Sequence, residues 1–359
     1  MAVEHSQILQ ALKAVQDPDL HKDIVALGFV KNVAIDGGHI SLTIELTTPA
    51  CPVKEQMKEQ ARAAVMQLSG VGAVDVTMTA RVRAAVSPDL NRAPVAGVKN
   101  VIAVGAGKGG VGKTTVAVNL ALALATTGGR VGMIDGDIYG PNVPIMLGLK
   151  AQLGTDGGKI VPAEKYDLQV VSMAFLTPDD APIIWRGPML HGVIKQFFHE
   201  VRWDNRDYVV VDLPPGTGDV AMSMAQTACV AGAIVVTTPQ QVSLADSRRA
   251  VAMYQKLDIP ILGIIENMSY FACPSCRHES DIFGRGGGAR LADELKVAFL
   301  GSIPISEPVR VGGDTGVPII LSDPSSPAAL AFMAAAERTA AQVSIQSFRK
   351  PMISLRPVN

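Results

Sequence analysis

Apolar residues after position 100 fall into short continuous runs that are separated by segments with helical spacing. Such uninterrupted runs are typical of strands buried on both faces of a parallel sheet. Seven runs follow this pattern, at 101–104, 131–134, 168–171, 208–211, 233–237, 261–265 and 298–303. Helical patterns at 113–127 and 243–257 lie between them, so this region predicts a doubly wound α/β domain.

The first 81 residues follow a different pattern, which predicts the element order α-β-β-α-β. Residues rich in β-branched side chains at 24–35 and 39–47 flank Asp36-Gly37-Gly38, a hairpin signal. Pro52 is expected to open the second helix, and Val74–Thr79 to form a third strand. The first helix is predicted from apolar residues at helical spacing, Ile8, Leu12 and Val15.

Residues that interrupt helices and strands indicate where these regions begin and end. Ser87-Pro88, Asn91 and Ala93-Pro94 interrupt any periodicity, which is typical of an interdomain linker. Ser325–Pro327 is expected to start a last Ala-rich helix that ends near residue 343. The predicted organisation is a small α+β domain, a linker, a P-loop domain and a loose tail (Lys350–Asn359 at its end), at 1–82, 83–98, 99–345 and 346–359.

Composition and charge narrow the function classes. The 359 residues are 48% hydrophobic and 18% charged, which argues against general disorder. The formal net charge is -1, so the chain has no overall positive charge that would attract nucleic acid. No signal peptide or membrane-length apolar run is evident, so a cytoplasmic location without membrane partners is expected. Four cysteines in a chain of this length are expected to be free thiols or metal ligands.

A glycine-rich loop between the strand at 101–104 and the helix at 113–127 has the spacing of a phosphate-binding loop. Glycines let backbone N–H groups curl around phosphates, and the helix N-terminus adds positive potential. Lys113 is expected to reach the β- and γ-phosphates and the Thr114 hydroxyl to bind Mg²⁺. Lys108 is either a solvated loop charge or an extra phosphate contact. The loop reads Gly107-Lys108-Gly109-Gly110-Val111-Gly112-Lys113-Thr114-Thr115.

Carboxylates follow two other predicted strands. Asp135 and Asp137 come after the strand at 131–134, and Asp212 comes after the strand at 208–211. The carboxyl ends of parallel strands meet at one edge of a sheet, so these groups are expected near the phosphate loop. One of the first two is expected to organise the Mg²⁺ shell and the other to orient the attacking water, while Asp212 fits a Walker B carboxylate.

The loop, with its second lysine Lys108, resembles the deviant Walker A motif of the MinD/ParA-type ATPases. Within that group the chain is similar to the Mrp/Nbp35 (ApbC) iron–sulfur carrier branch over residues 98–340. Four further motifs carry the likeness: Asp135-Gly136-Asp137-Ile138-Tyr139-Gly140-Pro141-Asn142, Asp212-Leu213-Pro214-Pro215-Gly216-Thr217-Gly218-Asp219, Glu266-Asn267-Met268-Ser269 and Cys273-Pro274-Ser275-Cys276.

The resemblance implies roles for particular residues. Lys108 would reach across an ATP-sandwich homodimer, Asp137 would position the hydrolytic water, and Asn267 would read the adenine. Asp135 and Asp212 would lie near Mg²⁺. The first domain resembles the MIP18-type (DUF59) family, which is also linked to iron–sulfur assembly, through Asp17-Pro18-Asp19-Leu20, Leu27-Gly28-Phe29-Val30 and Leu46-Thr47-Thr48-Pro49-Ala50-Cys51-Pro52.

The Cys273 and Cys276 pair can present two thiolates to one metal. A tetrahedral Zn²⁺ or a cubane cluster needs four ligands, so either His278 and another residue contribute or two chains each supply a pair. The second arrangement predicts a homodimer with one [4Fe–4S] cluster on its axis, and the resemblance favours it. A redox dithiol, a zinc staple and a metal-free pair are the alternatives. Cys51 at a predicted helix start is either a thiolate or a packed residue, and Cys229 is expected in the core.

The leading hypothesis is a carrier that passes iron–sulfur clusters from an assembly scaffold to apo-proteins, with slow regulatory ATP hydrolysis. The alternatives are a MinD/ParA-type positioning ATPase and a nucleotide-gated adaptor without useful turnover. The Ala-rich helix at 328–343 carries few cations and suits a membrane poorly. A small-molecule kinase ranks last because no acceptor-binding motif is evident.

Overall fold

The chain consists of two compact units, Met1–Arg83 and Ala84–Asn359. A computed structural model describes residues 3–84, 92–138, 140–175, 187–216, 218–276 and 278–348. Several sequence predictions lie outside the described residues, namely the tail Lys350–Asn359, the linker positions Ser87-Pro88 and Asn91, and the motif residues Tyr139 and Thr217.

The first unit contains two helices and a three-stranded sheet of order β3-β4-β5. Strand β4 pairs antiparallel with β3 and parallel with β5. Alternate residues of β4 are buried, and helix α2 adds Met57, Ala61 and Val65 to the core. The elements are α1 (His5–Leu12), β1 (Gln16–Asp17), β2 (Lys22–Asp23), β3 (Val30–Asp36), β4 (His39–Leu46), α2 (Lys54–Met66) and β5 (Ala73–Ala80).

Two boundaries in this unit differ from the sequence prediction. The strand predicted at 24–35 begins only at Val30. Residues 24–28 turn instead, because the Asp23 carboxylate accepts the N–H groups of Val25 and Ala26 at 3.1 and 2.7 Å, which competes with strand pairing. Helix α2 begins at Lys54 rather than at Pro52, so Cys51 precedes the helix instead of opening it.

The second unit is built on a sheet of order β10-β11-β7-β12-β6-β13-β14-β17. All seven strands predicted in this region are present and run parallel. The eighth, β10, is an antiparallel edge strand of three residues that the sequence did not indicate. The sheet strands are β6 (Val98–Ala106), β7 (Val131–Asp135), β10 (Ala163–Lys165), β11 (Leu168–Ser172), β12 (Arg206–Asp212), β13 (Val230–Thr237), β14 (Ile261–Glu266) and β17 (Phe299–Ser302).

Helices and two small hairpins surround this sheet. Helix α3 is buried on nearly every side because it packs against both the sheet and α11, as its Ala- and Leu-rich sequence permits. The remaining elements are α3 (Lys113–Thr126), α4 (Val143–Met146), β8 (Gly154–Asp156), β9 (Lys159–Val161), α5 (Gly187–His199), α6 (Asp219–Thr227), α7 (Gln241–Lys256), β15 (Phe271–Ala272), β16 (Glu279–Ser280), α8 (Gly287–Leu295), α9 (Glu307–Thr315), α10 (Ile319–Ser322) and α11 (Pro327–Phe348).

Two segments that the sequence suggested to be linker or tail are partly packed against the second unit. In the predicted linker at 83–98, Val95 is buried in the core of the second unit and the Ala93 carbonyl accepts the Cys229 N–H at 3.2 Å. Residues 92–97 therefore pack on that unit ahead of β6. Helix α11 runs beyond residue 343 because Ser344 and Gln346 are still buried. No helix in the described parts of the chain is both long and apolar enough to cross a bilayer.

Candidate functional site

The glycine-rich loop leaves the carboxyl end of β6 and leads directly into α3. Two of its glycines have left-handed backbones, with φ of +80° at Gly110 and +77° at Gly112. Gly107 is needed for another reason, since a Cβ there would lie 2.2 Å from the backbone carbon of Asp246 in α7. Close packing and unusual dihedrals thus fix a loop whose N–H groups can surround an anion.

Replacing Gly107 by alanine is expected to destabilise the protein by about 1–3 kcal/mol, because the added Cβ forces the loop away from α7. Urea unfolding followed by circular dichroism measures the change. Gly109→Ala is the matched control, since the nearest atom to its Cβ is 4.0 Å away on Pro215. Equal destabilisation by the two substitutions would contradict the packing explanation.

Lys113 brings together the carboxylates predicted from two strand ends. Its Nζ lies 2.6 Å from Oδ1 of Asp212 and 3.7 Å from Oδ2 of Asp137. The Thr114 hydroxyl donates to the other Asp212 oxygen at 2.7 Å. A hydroxyl and two carboxylates within one cluster form the hard oxygen donor set that Mg²⁺ prefers, beside a loop built for phosphate.

Asp135 is fully buried and acts as an acceptor for its surroundings. Its carboxylate accepts the Ser172 hydroxyl at 3.0 Å and the backbone N–H groups of Val143 and Asp137 at 3.2 and 3.3 Å. These bonds shape the segment after β7, which places Asp137 toward Lys113. Sequence reasoning missed Ser172, although its position at the end of the predicted strand 168–171 was an available signal.

Burial raises the pKa values of all three carboxyls in the cluster. Burial, with repulsion from Asp212, raises the pKa of Asp135 to about 8. For Asp137 and Asp212 burial also raises the pKa, and the nearby Lys113 ammonium opposes that rise.

The raised pKa of Asp135 predicts a pH dependence of stability. A folded-state pKa of about 8 against 3.8 in the unfolded chain means that the folded protein binds the extra proton between these values. The resulting stability is present at low pH and is lost as the pH rises through 8. In EDTA, wild type is expected to lose unfolding free energy between pH 6 and 9, and Asp135→Asn to lose less. Guanidinium titrations at both pH values test this, and parallel losses in the two proteins would contradict it.

A cavity of about 480 Å³ adjoins the phosphate loop and is a candidate place for the rest of a nucleotide. Thr114, Thr115 and Asn267 line it, together with Ile305 and Arg310 near and on α9. The Asn267 amide donates to the Val111 carbonyl at 2.8 Å, so this side chain braces the loop from the cavity wall. The expectation that Asn267 reads adenine stays a prediction. The contribution of α9 was missed, because only its approach after β17 brings it to this edge.

Lys108 lies in the loop and forms no hydrogen bond or ion pair with the described part of the chain. Its expected contact with a nucleotide on a second chain therefore stays a prediction.

Cys273 and Cys276 lie between the two strands of the hairpin formed by β15 and β16. The Cys273 N–H donates to the His278 carbonyl at 3.0 Å, and Cys276 is exposed. Backbone N–H groups of Cys276 and Ser275, followed by the Cys276 thiol, lower the pKa of Cys273 and favour its thiolate. Thiolates are the donors that iron–sulfur clusters use, so this pair fits such a group chemically.

Within the residues that the structure describes, no set of three or more His, Cys, Asp and Glu side chains is placed to hold a metal. His278 therefore does not complete a site with the thiol pair in that part of the chain. The other two cysteines lie elsewhere and are partly buried, with Cys51 ahead of α2 and Cys229 ahead of β13. The core position expected for Cys229 is thus only partly realised.

Comparisons with known proteins agree with this geometry. Residues 97–340 match the family model of the NUBPL iron-transfer P-loop NTPase, and residues 5–76 match that of the iron–sulfur cluster assembly protein. A protein of Synechocystis named iron–sulfur cluster carrier protein is 48% identical over 345 residues, covering 94% of this chain and 97% of its own. Its Escherichia coli K12 namesake is 39% identical over 343 residues, covering 94% and 92%.

Solved structures show the same fold for the second unit. A nucleotide-binding protein from Archaeoglobus fulgidus, in complex with ADP, is 36% identical with a TM-score of 0.56, covering 62% of this chain and 88% of its own. The cell division ATPase MinD from Pyrococcus furiosus is 27% identical with a TM-score of 0.52, covering 67% and 97%.

Proposed function

This chain belongs to the family of iron-transfer P-loop NTPases that carry an iron–sulfur cluster assembly domain, and from that membership we propose that it is an ATP-dependent iron–sulfur cluster carrier. The observation that carries the proposal is that the phosphate loop and the cysteine pair lie in the same compact unit. Asn267 contacts the phosphate loop, and Cys273 lies six residues further along the same segment.

The nucleotide part of the proposal assigns ATP and Mg²⁺ to the carboxylate cluster. Lys113 would hold the β- and γ-phosphates, and Thr114 with Asp212 would hold Mg²⁺ directly or through water. Asp137 would position the attacking water from its place 3.7 Å from the lysine. Hydrolysis is proposed to be slow and regulatory. The ADP complex of the similar Archaeoglobus fulgidus protein supports nucleotide binding at this fold.

The cluster part assigns a [4Fe–4S] cargo to Cys273 and Cys276 of two chains. A cubane needs four protein ligands and one chain offers a pair of thiols in this hairpin, so a homodimer supplies the full set. The same pairing would bring Lys108 to the nucleotide of the second chain. Apo-proteins and an assembly scaffold are the proposed partners, and the cytoplasm is the proposed location.

Cluster transfer is the direct test of this function. Protein reconstituted with iron and sulfide is mixed with an apo-enzyme whose activity requires a [4Fe–4S] cluster, with ATP, ADP or no nucleotide. We expect activity to return at a rate that depends on the nucleotide. Failure to reactivate the enzyme under every condition would contradict the carrier function.

The likeness to MinD favours a positioning ATPase as the second candidate. That function has no use for the Cys273 and Cys276 pair, and it requires a lipid or DNA surface on which to assemble. Co-sedimentation with anionic vesicles or DNA in the presence of ATP separates the candidates. The positioning ATPase would be favoured if the wild-type protein sediments with vesicles or DNA only when ATP is present, and if a Cys273→Ser/Cys276→Ser variant sediments to the same extent. A single-turnover phosphate-release assay separates both from a nucleotide-gated adaptor.

A further inference from the structure

A buried carboxylate, that of Glu266, precedes the cavity residue Asn267 and bonds to residues on both sides of the thiol hairpin. Glu266 ends β14, is fully buried, and has both carboxylate oxygens occupied. One oxygen accepts the Ser269 hydroxyl at 2.5 Å and the Gly286 N–H at 2.9 Å. The other accepts the Gly288 N–H at 2.5 Å. Charge-assisted bonds of this kind are about twice as strong as neutral ones.

These three bonds hold both ends of the thiol loop, by which we mean the described residues 270–276 and 278–285, with Cys273 and Cys276 between its ends. The chain leaves the sheet after Glu266, where β14 ends, and enters α8 through its N-cap residue, Gly286. A single side chain therefore closes the base of the loop. Arg285 adds a second tie inside it, since its guanidinium lies 4.4 Å from the Tyr270 ring centre and 2.5 Å from the Glu279 carboxylate.

Glycine makes the close approach of α8 to Glu266 possible. A Cβ on Gly288 would lie 2.9 Å from the Cβ of Glu266, and one on Gly287 would lie 2.7 Å from the Pro239 carbonyl oxygen. Gly286 has φ of +75°. The sequence Gly286-Gly287-Gly288 thus brings the N–H groups at the start of α8 onto this carboxylate.

The other side of the same segment forms a wall of the nucleotide cavity. Asn267, next to Glu266, donates to the phosphate loop at Val111. Ser269 donates its N–H to the Ile303 carbonyl at 2.9 Å, and Tyr270 accepts the Ile305 N–H at 2.6 Å. Ile305 lines the cavity. Residues 267–270 therefore connect this wall to the base of the thiol loop through hydrogen bonds.

We propose that Glu266 is a positioning residue that couples the nucleotide cavity to the Cys273 and Cys276 thiols by closing the base of the thiol loop. This inference rests on the proposed function, because it assigns the path by which bound nucleotide alters the cluster-binding thiols of the same chain. The Glu266 carboxylate acts through its bonds to Ser269 and to the start of α8.

The test measures thiol accessibility in reduced, cluster-free full-length protein. Iodoacetamide modification of Cys273 and Cys276 is followed by peptide mass spectrometry with and without MgADP. In wild type, nucleotide is expected to change the modification rate by roughly fivefold or more, the lower end of typical coupling between sites. In Glu266→Gln, whose amide nitrogen faces groups that already donate, that change is expected to fall below about twofold, while a fluorescent ADP analogue still binds.

Two further variants separate positioning from general stability. Asp207→Asn makes the same carboxylate-to-amide change at the start of β12, where Asp207 binds Lys99 and Arg130, and is expected to keep the wild-type response. Ser269→Ala removes one of the three bonds to Glu266 and is expected to give an intermediate response. If Glu266→Gln does not fold, Ser269→Ala carries the test by itself.

Two results would overturn the inference. One is a wild-type modification rate that nucleotide leaves unchanged, and the other is a full nucleotide response in every folded variant of this pair of residues. Neither result depends on a cluster. Iron and sulfide retention and cluster transfer by wild type are measured separately, so loss of the coupling and loss of the proposed carrier function remain distinguishable.

Discussion

Replacing Lys113 by alanine is expected to lower kcat for ATP hydrolysis by at least about a hundredfold, because the change removes the ammonium beside the carboxylates and the phosphate loop. The same change removes the cation that lies 2.6 Å from the fully buried Asp212. An unpaired buried carboxylate costs about 3 kcal/mol or more, so the folded protein is also expected to lose stability. Phosphate release at saturating ATP and urea unfolding measure the two effects.

Lys108→Ala is the matched control for stability, since it removes the same charge from the same loop. Lys108 forms no bond with the described part of the chain, so the unfolding free energy is expected to change by less than about 0.5 kcal/mol. Its effect on hydrolysis separately tests the proposed contact across a dimer. A Lys113→Ala protein that hydrolyses ATP at the wild-type rate would contradict the role assigned to Lys113.

Wild-type protein reconstituted anaerobically with iron and sulfide is expected to retain about four irons and four sulfides per dimer, whereas Cys273→Ser/Cys276→Ser retains none. The physical reason is that serine hydroxyls do not replace thiolates as ligands of iron at neutral pH. Iron and sulfide assays after desalting, with size-exclusion chromatography coupled to light scattering, give the stoichiometry and the oligomeric state.

Cys229→Ser is the matched control, because it removes a thiol from the same unit at a partly buried position ahead of β13. It is expected to retain wild-type iron. Equal iron in the double variant and in wild type would contradict the assignment of the cluster to this hairpin. Retention of zinc in place of iron would indicate a structural zinc site that links two chains. Nucleotide binding is expected to be unaffected in that case.

Much of the second unit could be predicted from sequence because its signals are local. The seven parallel strands are continuous apolar runs, and burial on both faces of a sheet requires such runs whatever the neighbouring strands are. The phosphate loop was equally predictable, since glycines with left-handed backbones and a following helix are local properties of 107–115. The edge strand β10 was missed because three residues, Ala163–Lys165, carry too little pattern.

Lys113, Asp137 and Asp212 lie together at the edge of the sheet, but their individual environments did not follow from spacing. Asp135 and Asp137 are nearly adjacent in sequence, yet Asp135 is fully buried and bonded to Ser172, whereas Asp137 lies near Lys113. In the first unit, a turn at 24–28 takes the place of the first part of a predicted strand, because one side chain, Asp23, accepts hydrogen bonds from two backbone N–H groups.

The sequence by itself determined the family, the α/β fold, the phosphate loop and the thiol pair, because each is written in contiguous residues whose chemistry is set by their order. Only the tertiary structure decided which distant groups meet. The approach of α9 to the nucleotide cavity, and the closure of the thiol loop by Glu266 through Ser269 and Gly286, depend on contacts between separate elements. Burial and hydrogen-bond geometry fix such contacts, and neither is a property of a residue's neighbours along the chain.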